Sequence, residues 1–361
     1  MKKNILVIGS SLKDKGGIVT VMNNIYDLIG EKYNFSHIET YITTNNIFKK
    51  FLFFIKGIIL MIYKLLFSSI DLIHIHMSYK GSFYRKSIVI FIVKFFNVPI
   101  VAHIHGSTFK DYYDNASFIE KKLIRNTLDK VDSLVVLSQG WASFFSGLIE
   151  DSEKIEVVYN GVKPPKQIPS KKINKNPKFL FLGRLGERKG IYVLLDSLKK
   201  YKEAGYFGHA YIAGDGEIEK VKKVINDYNL NEMITVVGWI DSYEKEKLLN
   251  ECDVLILPSF NEGLPMSLLE GMSYGMGIIS TRVGGIPELV TEDENGLLVQ
   301  EGNADELFHA LSLMHENYAW RQELVSINYN KIKQSFNLEI LISDIEKIYG
   351  KLIKKRGVDF E

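Results

Sequence analysis

Residues 258–288 read PSFNEGLPMSLLEGMSYGMGIISTRVGGIPE. The apolar run 252–257 in front of them ends at Pro258 and is typical of a buried strand, while Pro265 suits the first position of a helix. The stretch therefore predicts a strand, a glycine-bearing turn and a helix N-terminus. Unpaired backbone N–H groups and the helix dipole favour an anionic ligand at such a place.

Two carboxylates occupy this stretch, Glu262 in the turn and Glu270 on the predicted helix. Carboxylates beside a phosphate would repel it, so at a ligand site they are expected to face hydroxyl groups, such as those of sugars attached to the phosphate. The plainer alternative is a solvated loop glutamate and a surface helix glutamate.

Composition indicates a globular protein of two domains, since the chain has 361 residues of which 46% are hydrophobic. The single cysteine, Cys252, excludes an internal disulfide and is typical of a reducing compartment. The first apolar run is too short for a signal peptide, and Lys56 and Lys64 interrupt the most apolar region. These features predict a cytoplasmic protein.

Short β-rich runs alternate with helical patterns in both halves, which predicts an α/β protein with two doubly wound parallel sheets. A stretch rich in proline and lysine, 163–172, predicts a linker, so the domains are expected at 1–164 and 165–336. The predicted strands are 4–8, 37–41, 72–76, 100–105, 133–137, 156–159, 178–182, 209–213, 234–237, 254–257, 277–280 and 296–299.

Three turns after predicted strands are candidates for ligand binding, because ligands of open parallel sheets bind outside the carboxyl ends of the strands. Gly16 and Gly17 follow the first strand, without the spacing of a dinucleotide fingerprint or a P-loop. Arg184 and Lys189 follow the seventh strand and suit two phosphates. His105 ends the fourth strand on the same face as His103, which is expected in the core. The alternative for Gly16 and Gly17 is an ordinary flexible loop, and the alternative for Arg184 and Lys189 is a solvated charged loop.

No metal is expected. The sequence has no Asp-x-Asp pattern, and the pairs His74/His76 and His103/His105 lack acidic or cysteine partners at ligand spacing.

The first half is basic, since residues 1–165 carry 20 Lys and Arg against 14 Asp and Glu while the remainder carries 25 against 29. This asymmetry favours an anionic partner. Residues 48–67 place four lysines on about a third of a helical wheel, which predicts either a helix on an anionic membrane or a buried helix with a narrow solvated strip. Residues 80–94, with Arg85 and Lys86, form a second basic and apolar stretch.

In order along the chain, several motifs together resemble the GT-B retaining glycosyltransferases of family 4, the glycosyltransferase group 1 enzymes. The resemblance runs from about residue 5 to residue 350. The motifs are Gly16-Gly17, His105, Asn160-Gly161-Val162, Gly183-Arg184 with Lys189-Gly190, Gly214-Asp215-Gly216, and Glu262-Gly263-Leu264-Pro265 with Glu270.

The resemblance implies a GT-B fold in which two Rossmann-like domains face a central cleft. The segment 336–353 resembles the last helix of that fold, so the C-terminal helix, about 337–361, is expected to cross back and complete the first domain.

The resemblance also implies roles. Arg184 and Lys189 would hold the two phosphates of a nucleotide-sugar donor, Glu270 would accept hydrogen bonds from the ribose, and Glu262 would position the donor sugar. His105 would approach the sugar from the first domain. The other expected donor-binding residues are Gly16, Gly17, Gly263, Leu264, Pro265, Met266, Trp239 and Ile240.

The function implied is metal-independent, retaining transfer of a sugar to a glycan acceptor in cell-surface polysaccharide synthesis. We expect a lipid-linked acceptor, a cofactor-free enzyme, and peripheral association of 48–67 with the inner face of the cell membrane. A soluble acceptor is the alternative. Two other functions compete: a nucleotide-sugar epimerase of the same architecture, and a nucleic-acid-binding protein, which the acidic second half disfavours.

Overall fold

The computed structural model of the chain describes residues 2–12, 16–44 and 46–358. The chain divides into two compact units. Unit 1 comprises Met1–Asn160 and Leu338–Glu361, and unit 2 comprises Gly161–Asn337. The division lies a few residues before the boundary predicted at 164.

Twelve strands lie in the described residues, and each overlaps a predicted strand. They are β1 (Lys3–Gly9), β2 (Tyr33–Glu39), β3 (Leu72–Met77), β4 (Ile100–Ile104), β5 (Ser133–Val136), β6 (Ile155–Val157), β7 (Lys178–Leu182), β8 (His209–Ala213), β9 (Ile234–Gly238), β10 (Val254–Leu257), β11 (Gly277–Thr281) and β12 (Leu297–Val299).

Helices alternate with these strands. They are α1 (Gly17–Ile29), α2 (Ile47–Phe67), α3 (Gly81–Lys94), α4 (Phe109–Asp114), α5 (Phe118–Asp129), α6 (Gln139–Ser146), α7 (Ile191–Glu203), α8 (Ile218–Asp227), α9 (Ser242–Glu251), α10 (Met266–Ser273), α11 (Ile286–Leu289), α12 (Ala304–Glu316), α13 (Tyr318–Ser335) and α14 (Leu338–Val358).

Each unit contains one six-stranded parallel sheet. The strand order is β2-β1-β3-β4-β5-β6 in unit 1 and β12-β11-β10-β7-β8-β9 in unit 2. Helices cover both faces, so strands such as β3, β10 and β11 are buried along their whole length. The predicted class of two doubly wound α/β domains is confirmed. The strand order reverses between β1 and β3 and between β7 and β10, where ligands of such sheets bind.

The last helix, α14, packs on unit 1, as the resemblance predicted. Tyr349 of α14 is fully buried, and its hydroxyl lies 2.6 Å from Nδ1 of His74 in β3. Ion pairs Lys32–Glu346 and Glu156–Lys351, both 2.9 Å long, lie at the edges of this contact. After unit 2 the chain therefore returns to unit 1, where α14 contributes Tyr349 to the core.

The largest differences from the predictions concern strand β2 and the linker. Strand β2 begins at Tyr33, not His37, because its whole length pairs with β1 from Lys3 onward. Residues 163–172 are not a free linker: the hydroxyl of Tyr329 donates to the Pro165 carbonyl at 2.9 Å, and Lys171 donates to the Leu249 carbonyl at 2.8 Å.

Helix α2 does not match the alternative of a buried helix. Only Phe54, Gly57 and Met61 of its 21 residues are buried. An apolar face remains exposed at three- and four-residue spacing, formed by Phe48, Phe51, Leu52, Ile55, Ile59, Tyr63 and Leu66. None of the helices in the described ranges combines the length and the hydrophobicity needed to cross a membrane.

Helix α3 differs from the second basic surface stretch that the sequence indicated. Lys86 is 2% exposed, and Arg85 is half-buried with its guanidinium over the ring of Tyr41. The spacing of Phe83, Lys86 and Ile90 points all three into the core, so two of the cations counted toward a membrane face lie inside unit 1.

Candidate functional site

The loops after β7 and β10 lie side by side, because these two strands are neighbours at the point where the order of the unit 2 sheet reverses. The first loop, 183–190, carries Arg184 and Lys189, and the second, 258–265, carries Glu262. The backbone N–H of Phe260 donates to the Arg188 carbonyl at 2.9 Å, which ties the second loop to the first. The two candidate segments form one site.

A buried ion pair joins the two loops. Nζ of Lys189 lies 2.5 Å from Oε1 of Glu262, and the two side chains are 15% and 7% exposed. The sequence predicted a phosphate for Lys189 and a sugar for Glu262, and it did not predict that they contact each other. An ammonium has three donors and a carboxylate two acceptor oxygens, so each partner keeps capacity for a ligand.

Two glycines allow the backbones around this pair to approach closely. Gly284 has φ 57°, and a Cβ there would lie 1.8 Å from the carbonyl oxygen of Glu262. Gly214, in the loop after β8, has φ 149°, and its Cβ would lie 1.9 Å from the Gly183 carbonyl oxygen. Only glycine fits either position, so the turn residues fix where Glu262 and the β7 loop stand.

Helix α10 begins at Met266, after the turn that carries Glu262, and presents its N-terminus at the same edge. Pro265 is the N-cap residue, and no side chain caps the helix. The Gly263 carbonyl accepts a hydrogen bond from the N–H of Gly285 at 2.7 Å, which holds the turn in front of the helix. Gly263, Leu264 and Pro265 are buried, and Met266 is half-buried. The predicted strand, glycine turn and helix start are all present.

Arg184 is exposed, as is Arg188 in the same loop. The pKa of the Glu217 carboxyl is lowered mainly by hydrogen bonds from Tyr192 and Lys220. Arg184 lies close enough to Glu217 to contribute to this lowering. Since Lys189 is paired with Glu262, the exposed Arg184 and Arg188 supply the positive charge that an anionic ligand would meet at this loop.

Glu270 lies on α10 and pairs with a residue that the sequence did not single out. Nζ of Lys245, on α9, is 2.6 Å from Oε1 of Glu270, and the carboxylate side chain is 18% exposed. If Glu270 binds the ribose as predicted, its carboxylate therefore has to accept hydrogen bonds from both the ribose and Lys245. Nothing in the local sequence signals this pair, because the partners are 25 residues apart on different helices.

The predicted nucleobase contacts lie after the edge strand β9. Trp239 is 51% exposed, whereas Ile240 is 8% exposed and belongs to the core. The Gly238 carbonyl accepts from the N–H of Gly214 at 2.7 Å, which ties this segment to the loop after β8. Trp239 is the residue of the two that has a surface to offer a ligand.

Unit 1 contains the remaining candidates. Gly16 is the N-cap of α1, with φ 131° and open space around it, and both Gly16 and Gly17 are exposed. His105 directly follows β4 and is half-buried, while His103, inside the strand, is fully buried, as its expected place in the core predicted. Nε2 of His105 lies 2.8 Å from Nδ1 of His76.

His105 is the outermost ring of a histidine ladder, defined as His74, His76, His103 and His105. Neighbouring rings lie 4.1–5.5 Å apart between centroids. Burial lowers the pKa of His105 to about 3 and that of His74 to about 3, and it holds the pKa values of His76 and His103 well below the usual range. At neutral pH the ladder is uncharged, so His105 offers a ligand a neutral imidazole.

Three ladder residues lie close enough together to be candidate metal ligands. One ring nitrogen each of His74, His76 and His103 lies within 4.8 Å of the others. Zinc ligands at ~2.0–2.1 Å from a shared ion stand roughly 3.5 Å apart, and the rings of His74 and His103 are parallel within 7°. The rings would have to turn before they converged on an ion, so the expectation of a metal-free enzyme stays a prediction.

Two family models match the chain in succession. The model "Glycosyltransferase Family 4" matches residues 12–165, and the model "Glycosyl transferases group 1" matches residues 163–333. The two matches meet near the division between unit 1 and unit 2.

The curated relatives include glycosyltransferases named for polysaccharide biosynthesis. The chain is 29% identical over 227 residues to the putative colanic acid biosynthesis glycosyltransferase WcaL of Escherichia coli K12, a match covering 60% of this chain and 56% of that protein. The chain thus spans little more than half of that relative's length. It is also 26% identical over 314 residues to the UDP-Gal:alpha-D-GlcNAc-diphosphoundecaprenol alpha-1,3-galactosyltransferase of Escherichia coli, covering 81% of this chain and 78% of that protein.

A solved structure with the same fold is that of sucrose-phosphate synthase from Thermosynechococcus elongatus. Its TM-score is 0.81 at 17% identity, with 98% of this chain and 100% of that chain covered. At this identity the likeness shows the fold.

Proposed function

Because the chain belongs to the group 1 glycosyltransferases of family 4, we propose that it transfers a sugar from a nucleotide-diphosphate sugar to a glycan acceptor in the synthesis of a cell-surface polysaccharide. The observation that carries this proposal is the joined pair of loops after β7 and β10. They place Arg184, the Lys189–Glu262 pair and the uncapped N-terminus of α10 at one edge of the unit 2 sheet.

In this mechanism the diphosphate leaves, and negative charge grows on it while the sugar gains oxocarbenium character. Arg184, Lys189 and the first N–H groups of α10 stabilise the leaving group where its charge develops. The stabilisation is greatest in the transition state, which is what accelerates the chemical step.

We assign Glu262 to positioning the donor sugar. Its Oε1 is held by Lys189, which fixes the carboxylate and leaves its other oxygen as an acceptor for a sugar hydroxyl. A carboxylate bound to an ammonium is a poor nucleophile, so we propose retention of the anomeric configuration by attack on the same face of the sugar, without a covalent bond to Glu262. Glu270 is assigned to the ribose hydroxyls and Trp239 to the base.

We propose a lipid-linked acceptor. One relative is named for a GlcNAc-diphosphoundecaprenol acceptor, and helix α2 offers a surface that suits a membrane. Its exposed face is apolar and aromatic, and the whole helix carries lysines without any acidic residue. An amphipathic helix of this composition binds anionic bilayers by burying its apolar face among the headgroups. The reaction would then take place at the cytoplasmic face of the cell membrane.

Co-sedimentation with phosphatidylglycerol vesicles tests the membrane part of the proposal. Replacing Phe48, Phe51 and Ile55 by Ser removes apolar surface, and replacing Lys49, Lys50 and Lys56 by Ser removes charge. Both triple variants are expected to lose most of the vesicle binding. Unchanged binding by both would rule out α2 as the contact.

Product analysis tests the transfer itself and separates it from the alternative epimerase. The protein is incubated with UDP-, GDP- and dTDP-sugars, with and without a lipid extract as acceptor. Transfer predicts a glycosylated lipid and release of nucleoside diphosphate in the presence of the extract. Conversion of the donor to an isomeric sugar without any acceptor would establish the epimerase instead.

A further inference from the structure

Three cationic side chains of unit 1 gather at the carboxyl end of β2. The guanidinium carbon of Arg85 lies 4.7 Å from the ring centroid of Tyr41, and Nζ of Lys50 lies 5.7 Å from the same centroid. Nζ of Lys86 donates a hydrogen bond to Oγ1 of Thr40. We call these five residues the Tyr41 cluster.

The charge of this cluster is uncompensated in the part of the chain that the structure describes. Lys86 is 2% exposed, and its hydrogen-bond partner Thr40 is neutral. The Nε of Arg85 is buried and has no hydrogen-bond partner within residues 2–12, 16–44 and 46–358. Among the described residues no carboxylate raises the pKa of either group, and burial together with the charge of Arg85 lowers the pKa of Lys86 to about 7.

The cations of the cluster differ in this respect from Lys94 at the other end of α3, which pairs with Asp132 at 3.1 Å. A buried ammonium with a neutral partner costs several kcal/mol or loses its proton. Such a group is expected where a ligand supplies the missing charge.

The chemistry of the cluster fits a phosphate. Arginine presents a planar fork to two phosphate oxygens, and the two lysines add compact point charges. The cluster also adjoins helix α2, since Lys50 lies on the side of this helix that carries the buried Phe54 and Met61, while the same helix exposes Phe48 and Phe51 on its other side. An anion that carries a long apolar chain satisfies both features.

We propose that the Tyr41 cluster binds the phosphate group through which the acceptor glycan is joined to its lipid. This inference rests on the proposed function, because it gives the acceptor a binding site in unit 1. A phospholipid headgroup in the bilayer plane meets exposed lysines such as Lys49 and Lys56, whereas a buried Lys86 is reached only by a group that enters the fold. The cluster therefore selects the acceptor phosphate over the headgroups.

Calorimetric titration with farnesyl diphosphate tests the site, because this probe combines a diphosphate with a prenyl chain. Arg85→Gln/Lys86→Met is expected to weaken binding by about tenfold or more, the loss of two charge-assisted contacts. Lys122→Gln, an exposed lysine on α5, is the matched control and is expected to bind like the wild type. Arg184→Ala is expected to bind like the wild type too, since the donor site lies in unit 2.

Two results would contradict the proposal. Wild-type affinity in Arg85→Gln/Lys86→Met would remove the cluster from the site, and a loss in Arg184→Ala as large as in the double variant would place the probe in the donor site. Inorganic pyrophosphate is expected to bind more weakly than farnesyl diphosphate. Equal affinity of the two would contradict the proposed contact between the lipid chain and the apolar surface. If Arg85→Gln/Lys86→Met loses binding to phosphatidylglycerol vesicles but keeps its affinity for farnesyl diphosphate, the cluster binds phospholipid headgroups and the proposal is wrong.

The double variant removes an unpaired buried charge, so its melting temperature is expected to equal or exceed that of the wild type. Lys50→Gln provides a second variant at a half-exposed position, expected to weaken binding severalfold without any effect on folding. Failure of the protein to transfer any sugar, together with cluster-dependent farnesyl diphosphate binding, would overturn the proposed function and leave the phosphate site standing.

Discussion

The Lys189–Glu262 pair is the central residue-level feature of the proposed donor site. Both side chains are largely buried and lie 2.5 Å apart. Removing one partner of a buried pair leaves an uncompensated charge, whereas replacing both by neutral groups is far less harmful. Stability and catalysis can therefore be separated at this pair.

Lys189→Met is expected to destabilise unit 2 by roughly 3 kcal/mol, because Glu262 is left buried without its cation. Lys189→Met/Glu262→Gln is expected to recover most of this loss in urea unfolding. Sugar transfer should remain severely reduced in both variants. Recovery of transfer along with stability would mean that the pair acts only in folding.

His105 has a different expected signature. Its imidazole is neutral at pH 7, since burial lowers its pKa to about 3, so it offers hydrogen bonds without charge. His105→Ala is expected to lower kcat at least tenfold while leaving the affinity for the nucleoside diphosphate unchanged, as measured by steady-state kinetics and calorimetry. A change confined to nucleotide affinity would argue against a role toward the sugar.

At the scale of elements, the histidine ladder on β3 and β4 links the stability of unit 1 to pH. Each pKa is lowered in the folded state by burial. Folding therefore excludes protons that the unfolded chain binds below its ordinary histidine pKa of about 6.5. The free energy of unfolding of unit 1 therefore has its full value above pH 6.5 and decreases progressively as the pH falls toward about 3.

The two ring nitrogens of His103 have no hydrogen-bond partner among the described residues. Replacing His103 removes one of the protons that the unfolded chain binds and the folded protein excludes. In His103→Phe the slope of unfolding free energy against pH below 6.5 is expected to decrease by about 1.4 kcal/mol per pH unit. His309→Asn, on the surface of unit 2, serves as the control. An unchanged slope in His103→Phe would show that the ladder does not exclude protons.

The turn before α11 provides a second element-level prediction. Gly284→Ala would place a Cβ 1.8 Å from the Glu262 carbonyl oxygen at φ 57°, so the Glu262 loop must shift. A loss of at least ~2 kcal/mol in unfolding free energy and a lower transfer rate are expected. Gly350→Ala in α14, where a Cβ has open space, is the matched control and is expected to stabilise the protein by about 0.5–1 kcal/mol.

At the scale of the whole molecule, the alternation of apolar runs was sufficient to predict both sheets. The strands 178–182, 209–213 and 254–257 were predicted to the residue, since buried parallel strands read as continuous apolar runs with sharp turn residues at their ends. Edge strand β2 was misplaced because it is only partly buried and its pattern is weak.

The candidate site was predicted in its loops but not in its contacts. Arg184, Lys189 and Glu262 stand where turns after strands were expected, because β7 and β10 are neighbours in the sheet. The Lys189–Glu262 and Lys245–Glu270 pairs and the burial of Lys86 depend on packing between distant segments. No local pattern encodes the two ion pairs, so the sequence assigned Lys189, Glu262 and Glu270 to ligands, whereas the spacing of Lys86 with Phe83 and Ile90 on α3 was a signal of its burial.

Binding of nucleoside diphosphates is the most direct measurement of the central claim, that the loops after β7 and β10 hold the donor diphosphate. Calorimetry with UDP, GDP and dTDP is expected to identify one tight ligand, with Arg184→Ala weakening it by about tenfold or more and melting like the wild type. Lys200→Ala, which removes a surface ion pair with Asp305, is expected to bind normally. Wild-type affinity in Arg184→Ala and in Lys189→Met would contradict the assignment of the diphosphate to these loops.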